Sequence, residues 1–295
     1  MRIVSLLPSL TELVCALGRG DELVGVTHEC DFPSGVELLP HLTRSRIAAS
    51  ASSLEIDSAV SAQGGSLYEL DEKTLAELRP DLILTQEQCD VCAVNEKTVR
   101  RAAEFLPGNP PVESVNPTDL AGVHAVFRRI GELLDASAAA EGLIASYFST
   151  VNFIQERIRS REPRTTVLLE WFDPPFSSGH WNPEIVEHAG GRELLAKAGE
   201  RSRRITWEDL LAADPEYLLL SPCGFTIERT ETELLALAAR PEWQALRAVK
   251  AGNVTIIDGS AYFSRPGPRL EMSLKIAALA IHPDLFPEMI RSDFV

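Results

Sequence analysis

Short apolar runs alternate along the chain with longer stretches whose apolar residues recur at helical spacing. Strands are predicted at 2–7, 23–27, 81–85, 112–115, 166–171, 217–221 and 254–258, with helical patterns between most of them. That alternation predicts α/β architecture with largely parallel sheets. "RIVSLL" reads as a first strand, and Ser9 with Glu12 behind it has the spacing of a helix capping box. A long helical region runs from Asp119 to about Arg161 and breaks near "LLDAS", where Asp135 or Ser137 could cap a new helix. The second piece, about 25 residues long, would extend roughly 37 Å, which is domain-crossing length.

One pattern occurs twice, on either side of that region. "LDEKTLAELRPDLILT" (70–85) and "ITWEDLLAADPEYLLLS" (205–221) both read as helix, Pro after a charged residue, acidic residue, apolar strand, with Pro80 and Pro215 as anchor points. Two similar α/β lobes follow, expected at 1–117 and 163–295, with a helical region at 118–162 between them.

Composition narrows the function. The 295 residues are 45% hydrophobic and 24% charged, as in ordinary globular proteins. Lys plus Arg 28 against Asp plus Glu 43 leaves a net charge of −15, which would repel a nucleic-acid backbone or an anionic membrane. A small or locally basic partner is expected instead. No apolar stretch approaches the roughly 18 residues of a bilayer span, and Pro8, Thr11 and Glu12 interrupt any signal-like run at the start. With five cysteines, an odd number, a cytoplasmic protein with free or metal-bound thiols is expected; a periplasmic one is the alternative if a leader has been removed.

In open parallel sheets ligands sit beyond the carboxyl ends of the strands. The segments leaving those ends are "THECDFP" (27–33), "QEQCDVC" (86–92), "WFDPPFSSGHWNP" (171–183), "SPCGF" (221–225) and "DGSAYFSRPGPR" (258–269). Where the third of these runs on into "HWNPEIV", Asn182 reads as a helix N-cap with Pro183 at the first helical position, so that His180 and Trp181 just before it face the ligand.

The order of "RIVSLLPSLTELVCALGRGDELVGVTHECDFP", "LRPDLIL", "DPPFSSG" and "AYFSRPGPR" resembles the cobalamin-binding and iron-complex-binding receptors of ABC importers, over nearly the whole chain. The resemblance implies two Rossmann-like lobes joined by a long spanning helix, a ligand cleft between lobes, and a receptor that clamps a metal-bearing small molecule and performs no chemistry. At three positions where cobalamin receptors offer aromatic walls this chain has Glu29, Gln86 and Ser202, while Phe176, Tyr262, Phe263 and Arg265 remain as candidate walls and an anchor. The resemblance also implies docking to a permease through Glu72 and Glu208, only if the protein is exported; the plainer reading is helix-start carboxylates favoured by the helix dipole.

Four cysteines, Cys30, Cys89, Cys92 and Cys223, follow three strand ends. Four thiolates suit zinc or an iron–sulfur cluster, because soft sulfur donors select such centres. A cluster is the expectation here, since a structural zinc normally knits a domain too small to fold alone. His28, Glu29, His180 and Arg265 are candidates to tune it or hold a second ligand. Two other readings stand beside it: small buried thiols, which is the expectation for Cys15, and a CxxC dithiol oxidoreductase in which Cys89 and Cys92 precede the helical "NEKTVRRAAEFL". No phosphate loop, nucleophile elbow or zincin motif is present, so hydrolase and kinase readings drop out.

Overall fold

The apolar runs form two separate, largely parallel sheets. The computed structural model describes residues 1–48, 51–63, 68–87 and 95–286. The chain falls into two units, Met1–Pro117 with His124–Leu143, and Thr118–Val123 with Ile144–Val295.

Unit 1 contains β1 (Ile3–Ser5), α1 (Pro8–Ala16), β2 (Leu23–Val26), β3 (Thr43–Ser45), α2 (Ser53–Gln63), β4 (Tyr68–Leu70), α3 (Glu72–Leu78), β5 (Leu82–Gln86), α4 (Glu96–Glu104) and β6 (Val112–Val115). Its sheet has the order β2-β1-β5-β6, every pair parallel, and β3 and β4 form a separate antiparallel pair. Parallel strands are covered on both faces, which is why they read as unbroken apolar runs. Val4 and Ile83 from the strands and Leu75 and Val99 from the helices share one buried cluster. α1 opens at Pro8 with Leu7 as N-cap and no side-chain cap, so the expected capping box of Ser9 and Glu12 does not form. Proline suits that first position because it has no N–H to leave unpaired.

α5 (Leu120–Leu133) and α6 (Ser137–Ile158) follow. The break between them falls where the sequence places it, with Asp135 in the left-handed region at φ 51°. The division between the two units passes through α6.

Unit 2 contains β7 (Arg164–Phe172), β8 (Pro175–Ser177), α7 (Asn182–His188), β9 (Gly191–Glu193), α8 (Trp207–Ala213), β10 (Tyr217–Leu220), α9 (Ile227–Ala238), α10 (Pro241–Ala245), α11 (Arg247–Ala251), β11 (Val254–Ile256) and α12 (Leu270–Ile281). β7, β10 and β11 are parallel in the order β11-β10-β7. The other edge of β7 is shared: β9 pairs parallel with its start and β8 antiparallel with its end. Without β8, the order β9-β7-β10-β11 repeats β2-β1-β5-β6.

The duplicated sequence pattern is duplicated in atomic detail. α3 and α8 each end on a residue at positive φ, Arg79 (46°) and Asp214 (34°), directly before Pro80 and Pro215. A residue before proline is kept out of the right-handed helical region, and a left-handed residue ends a helix. The acid after each proline then grips the neighbouring strand. Asp81 Oδ2 accepts from the Arg2 amide at 2.7 Å and Glu216 Oε2 from the Thr165 amide at 2.9 Å, while the Asp81 and Glu216 amides donate back to the same two residues at 2.8 and 2.9 Å. No helix among the described residues is long and apolar enough to cross a membrane.

Candidate functional site

In unit 1 the turn after β2 carries His28, Glu29 and Cys30. The His28 ring nitrogen Nδ1 lies 2.7 Å from Thr43 Oγ1, Nε2 lies 3.2 Å from Glu29 Oε1, and the ring packs 5.3 Å from that of Tyr68. Glu29 keeps 42% of its side chain exposed. Gln86, the last residue of β5, is buried. Cys30 turns inward, packed with Val26 and Val36 beside Cys15 and Leu39, and its sulfur lies 3.1 Å from Thr11 Oγ1. Burial, and then the neighbouring Cys30, pushes the Cys15 thiol up, so it is held as a neutral thiol.

The expected four-thiolate centre finds no support. Cys30 is a small apolar side chain with hydroxyl neighbours, Cys223 is partly buried in unit 2, and Cys89 and Cys92 lie outside the described residues. Among the described residues no group of three or more His, Cys, Asp or Glu could hold a metal ion. The iron–sulfur and zinc expectations joined Cys30 to the others by strand-end position alone, and position did not set the direction of its side chain.

Unit 2 presents a different chemistry at its strand ends. Guanidinium groups lie over aromatic rings: Arg204 is 5.8 Å from the Phe176 ring centre, Arg229 is 3.7 Å from Phe225, and Arg269 is 5.6 Å from Tyr262. Trp171 packs on Phe225 at 5.0 Å. His180 sits at φ 56°, 5.5 Å from Trp181, and burial with the nearby Arg201 charge lowers its pKa. Cationic groups stacked on rings are suited to an anionic ligand with a flat apolar body, because the rings and guanidinium planes hold the body while the charges meet its anions.

The expected lining residues divide. Phe176 and Tyr262 remain partly open. Trp181 and Phe263 are buried, at 5% and 0% exposure, and Trp181 Nε1 donates to the Phe263 carbonyl at 2.8 Å, tying two strand-end loops together. Arg265 is 7% exposed with its guanidinium 3.4 Å from Ser260 Oγ. Asn182 opens α7 and is not its N-cap; its amide donates to Glu170 Oε1 at 2.6 Å. Sequence reasoning missed Trp171, Phe225, Arg204 and Arg229, although the cationic run "RSRR" at 201–204 was a visible signal.

A family model described as "Periplasmic binding protein" matches residues 3–261. The chain belongs to the periplasmic binding protein family. It is 25% identical over 294 residues to YvrC, an uncharacterized ABC transporter substrate-binding lipoprotein of Bacillus subtilis, covering 97% of this chain and 82% of the relative. Over 222 residues it is 25% identical to a vitamin B12-binding protein of Yersinia pestis, covering 75% of this chain and 69% of the relative. Its fold is similar to that of a periplasmic heme binding protein from Pseudomonas aeruginosa, with a TM-score of 0.73 at 20% identity, over 96% of this chain and 93% of that one. Membership in the periplasmic binding protein family bears out the receptor resemblance and the α/β fold class. It speaks against the cytoplasmic expectation, which rested on composition and on the start of the sequence.

Proposed function

We propose that this periplasmic binding protein is the substrate-binding component of an ABC importer and that its ligand is an anionic, metal-bearing macrocycle of the cobalamin or haem class. The stacking of Arg204 on Phe176, Arg229 on Phe225 and Arg269 on Tyr262 at the strand ends of unit 2 carries this reading. In unit 2 the ligand-binding residues are Phe176, His180, Tyr262 and Arg265, with Trp181 and Phe263 holding their loops; Glu29 and Gln86 are the corresponding strand-end residues of unit 1, taken by itself. The protein works outside the cytoplasm, as the descriptions of its relatives favour. Permease docking falls to Glu72 and Glu208, exposed acids in the first turns of α3 and α8. The family reading favours binding over dithiol chemistry at Cys89 and Cys92.

Titration with cyanocobalamin and with haemin, followed by absorbance and tryptophan fluorescence, tests the reading. Saturable binding of one of them is expected, weakened about tenfold by Arg204→Ala together with Phe176→Ala, since a desolvated cation–aromatic pair is worth up to about 2 kcal/mol. Glu72→Lys with Glu208→Lys should leave that affinity unchanged and stop uptake in cells. Failure of both compounds to bind would overturn the ligand class.

A further inference from the structure

We propose that Glu170 is a positioning residue for the strand-end face of unit 2: its carboxylate fixes a two-stranded strap that carries the stacked pair of Phe176 and Arg204. What the strap binds rests on the functional reading above; how it is held does not.

The strap is made of residues 175–182, leaving β7, and residues 199–205, leading into α8. Its two segments pair by backbone hydrogen bonds: Ser177 N to Arg203 O at 3.0 Å, Ile205 N to Pro175 O at 2.9 Å, His180 N to Glu200 O at 2.6 Å and Gly199 N to His180 O at 3.0 Å. This pairing sets Phe176 opposite Arg204. The segments approach so closely that a Cβ on Gly179 would fall on the backbone of Arg201 and Ser202.

Glu170 lies near the end of β7, beneath both segments. Oε1 accepts from the Gly179 amide at 3.3 Å and from Asn182 Nδ2 at 2.6 Å, and Oε2 accepts from the Ser202 hydroxyl. One carboxylate therefore bonds both segments, using two oxygens that can take several donors at once. A glutamate is an unfavourable choice for a site in the run "TVLLEWF", because burial opposes its charge; burial raises the pKa, and the bonds from Ser202, Asn182 and Gly179 pull it back. An apolar residue would fill the same space on β7 without that cost. What it would lack is the link from the sheet to the strap.

The test is amide hydrogen exchange on the whole protein and its variants. In Glu170→Ala, protection of the Ser177, His180, Gly199 and Ile205 amides should fall about tenfold or more, as expected for losing bonds to a buried acceptor, while Leu218 and Ile257 on β10 and beyond β11 change little. Glu170→Gln, which keeps one acceptor oxygen, should restore most of the protection. Ser202→Ala, which leaves the β7 side chain intact, should loosen the strap by a few-fold and decides the matter if Glu170→Ala does not fold. Unchanged strap protection, or an equal loss across β10, would overturn the proposal. With whichever of cyanocobalamin and haemin the wild type binds, the dissociation constant should rise about tenfold in Glu170→Ala and return most of the way in Glu170→Gln. An unchanged constant with a loosened strap would overturn the link to the ligand. If the wild type binds neither compound, the functional reading fails, and the exchange data still decide what Glu170 does.

Discussion

The two units share one plan and differ where that plan ends. Each has four parallel strands in the same order, and each has a seven-residue helix stopped before proline, with an acid that grips the next strand. These shared parts lie in the sheets and at their amino ends, where strand pairing dictates the geometry. At the carboxyl ends unit 1 offers hydroxyl, thiol and carboxylate groups, while unit 2 offers arginines on aromatic rings. Loops outside the core are free to diverge in this way. Their packing has diverged too. In unit 2 the loops touch backbone to backbone: a Cβ on Gly259 would collide with the Pro222 carbonyl. In unit 1 the comparable crowded glycine, Gly25, meets only the ends of Leu78 and Leu42, at 2.7 and 3.0 Å.

The largest effect should come from that contrast. Gly259→Ala forces a backbone shift and should cost about 3 kcal/mol, the upper part of the usual range for overpacking, whereas Gly25→Ala displaces flexible leucine methyls and should cost about 1 kcal/mol. Urea denaturation of the two variants measures both. Equal costs would mean that the strand-end loops of unit 2 are no more rigid than the core of unit 1, and the comparison would break there.

Much of the shared plan was legible in sequence because proline leaves a local mark. Pro80 and Pro215 fix where a helix stops, and the apolar runs after them have the length of buried strands. β3, β4, β8 and β9 were not legible: β1 and β11 are as short but sit in the apolar runs "RIVSLL" and "NVTII", whereas these four lie in mixed polar and apolar sequence and their pairing is set by distant partners. At the candidate site the aromatic loops were found, but the inward turn of Cys30 was not, because strand-end position does not fix side-chain direction. Glu170 and Glu193 were missed altogether. Their signal was an acid within or beside apolar sequence, which must find hydrogen-bond donors when it is buried.

Glu193 sharpens the comparison through pH. Its carboxylate accepts from the Leu168 and Leu195 amides, both at 3.0 Å, yet burial first and the Glu170 charge last push it up to about 7. A carboxyl with a raised folded-state pKa binds its proton more tightly in the fold than in the unfolded chain, so its contribution is full below about 4.5 and falls as pH rises through about 7. In unit 1 Asp71 has the opposite sign: the Thr74 amide it caps lowers its pKa, and its contribution is lost as pH falls. Glu193 should therefore contribute a downward slope of on the order of 2 kcal/mol between about pH 5 and about pH 8, against the upward trend from His180, His188 and His282, whose burial lowers their pKa, and Glu193→Gln should remove that downward slope while lowering stability at the acid end, where the amide group cannot accept from both backbone donors. Melting temperatures of both proteins across this range give the answer. The same pH dependence in both would show that Glu193 contributes no such slope.

The smallest effect separates the two proline joints themselves. Arg79 and Asp214 both occupy the left-handed region, which costs a side-chain-bearing residue about 1–2 kcal/mol, against about 0.5–1 kcal/mol for the extra unfolded freedom of glycine. If conformation were the whole account, glycine at either position would stabilise by about 0.5 kcal/mol or slightly more. Arg79 is exposed, and conformation dominates there. Asp214 also serves a neighbouring helix, because its Oδ1 accepts from the Arg247 amide at 2.8 Å, at the first residue of α11, where no residue of that helix supplies a side-chain cap. Removing this acceptor should cost about 1 kcal/mol. Arg79→Gly should thus raise the urea midpoint slightly and Asp214→Gly lower it by a similar amount. The same sign in both variants would show that Asp214 does nothing for α11. Opposite signs would show that unit 2 has put a residue of the common joint to a use that unit 1 has not.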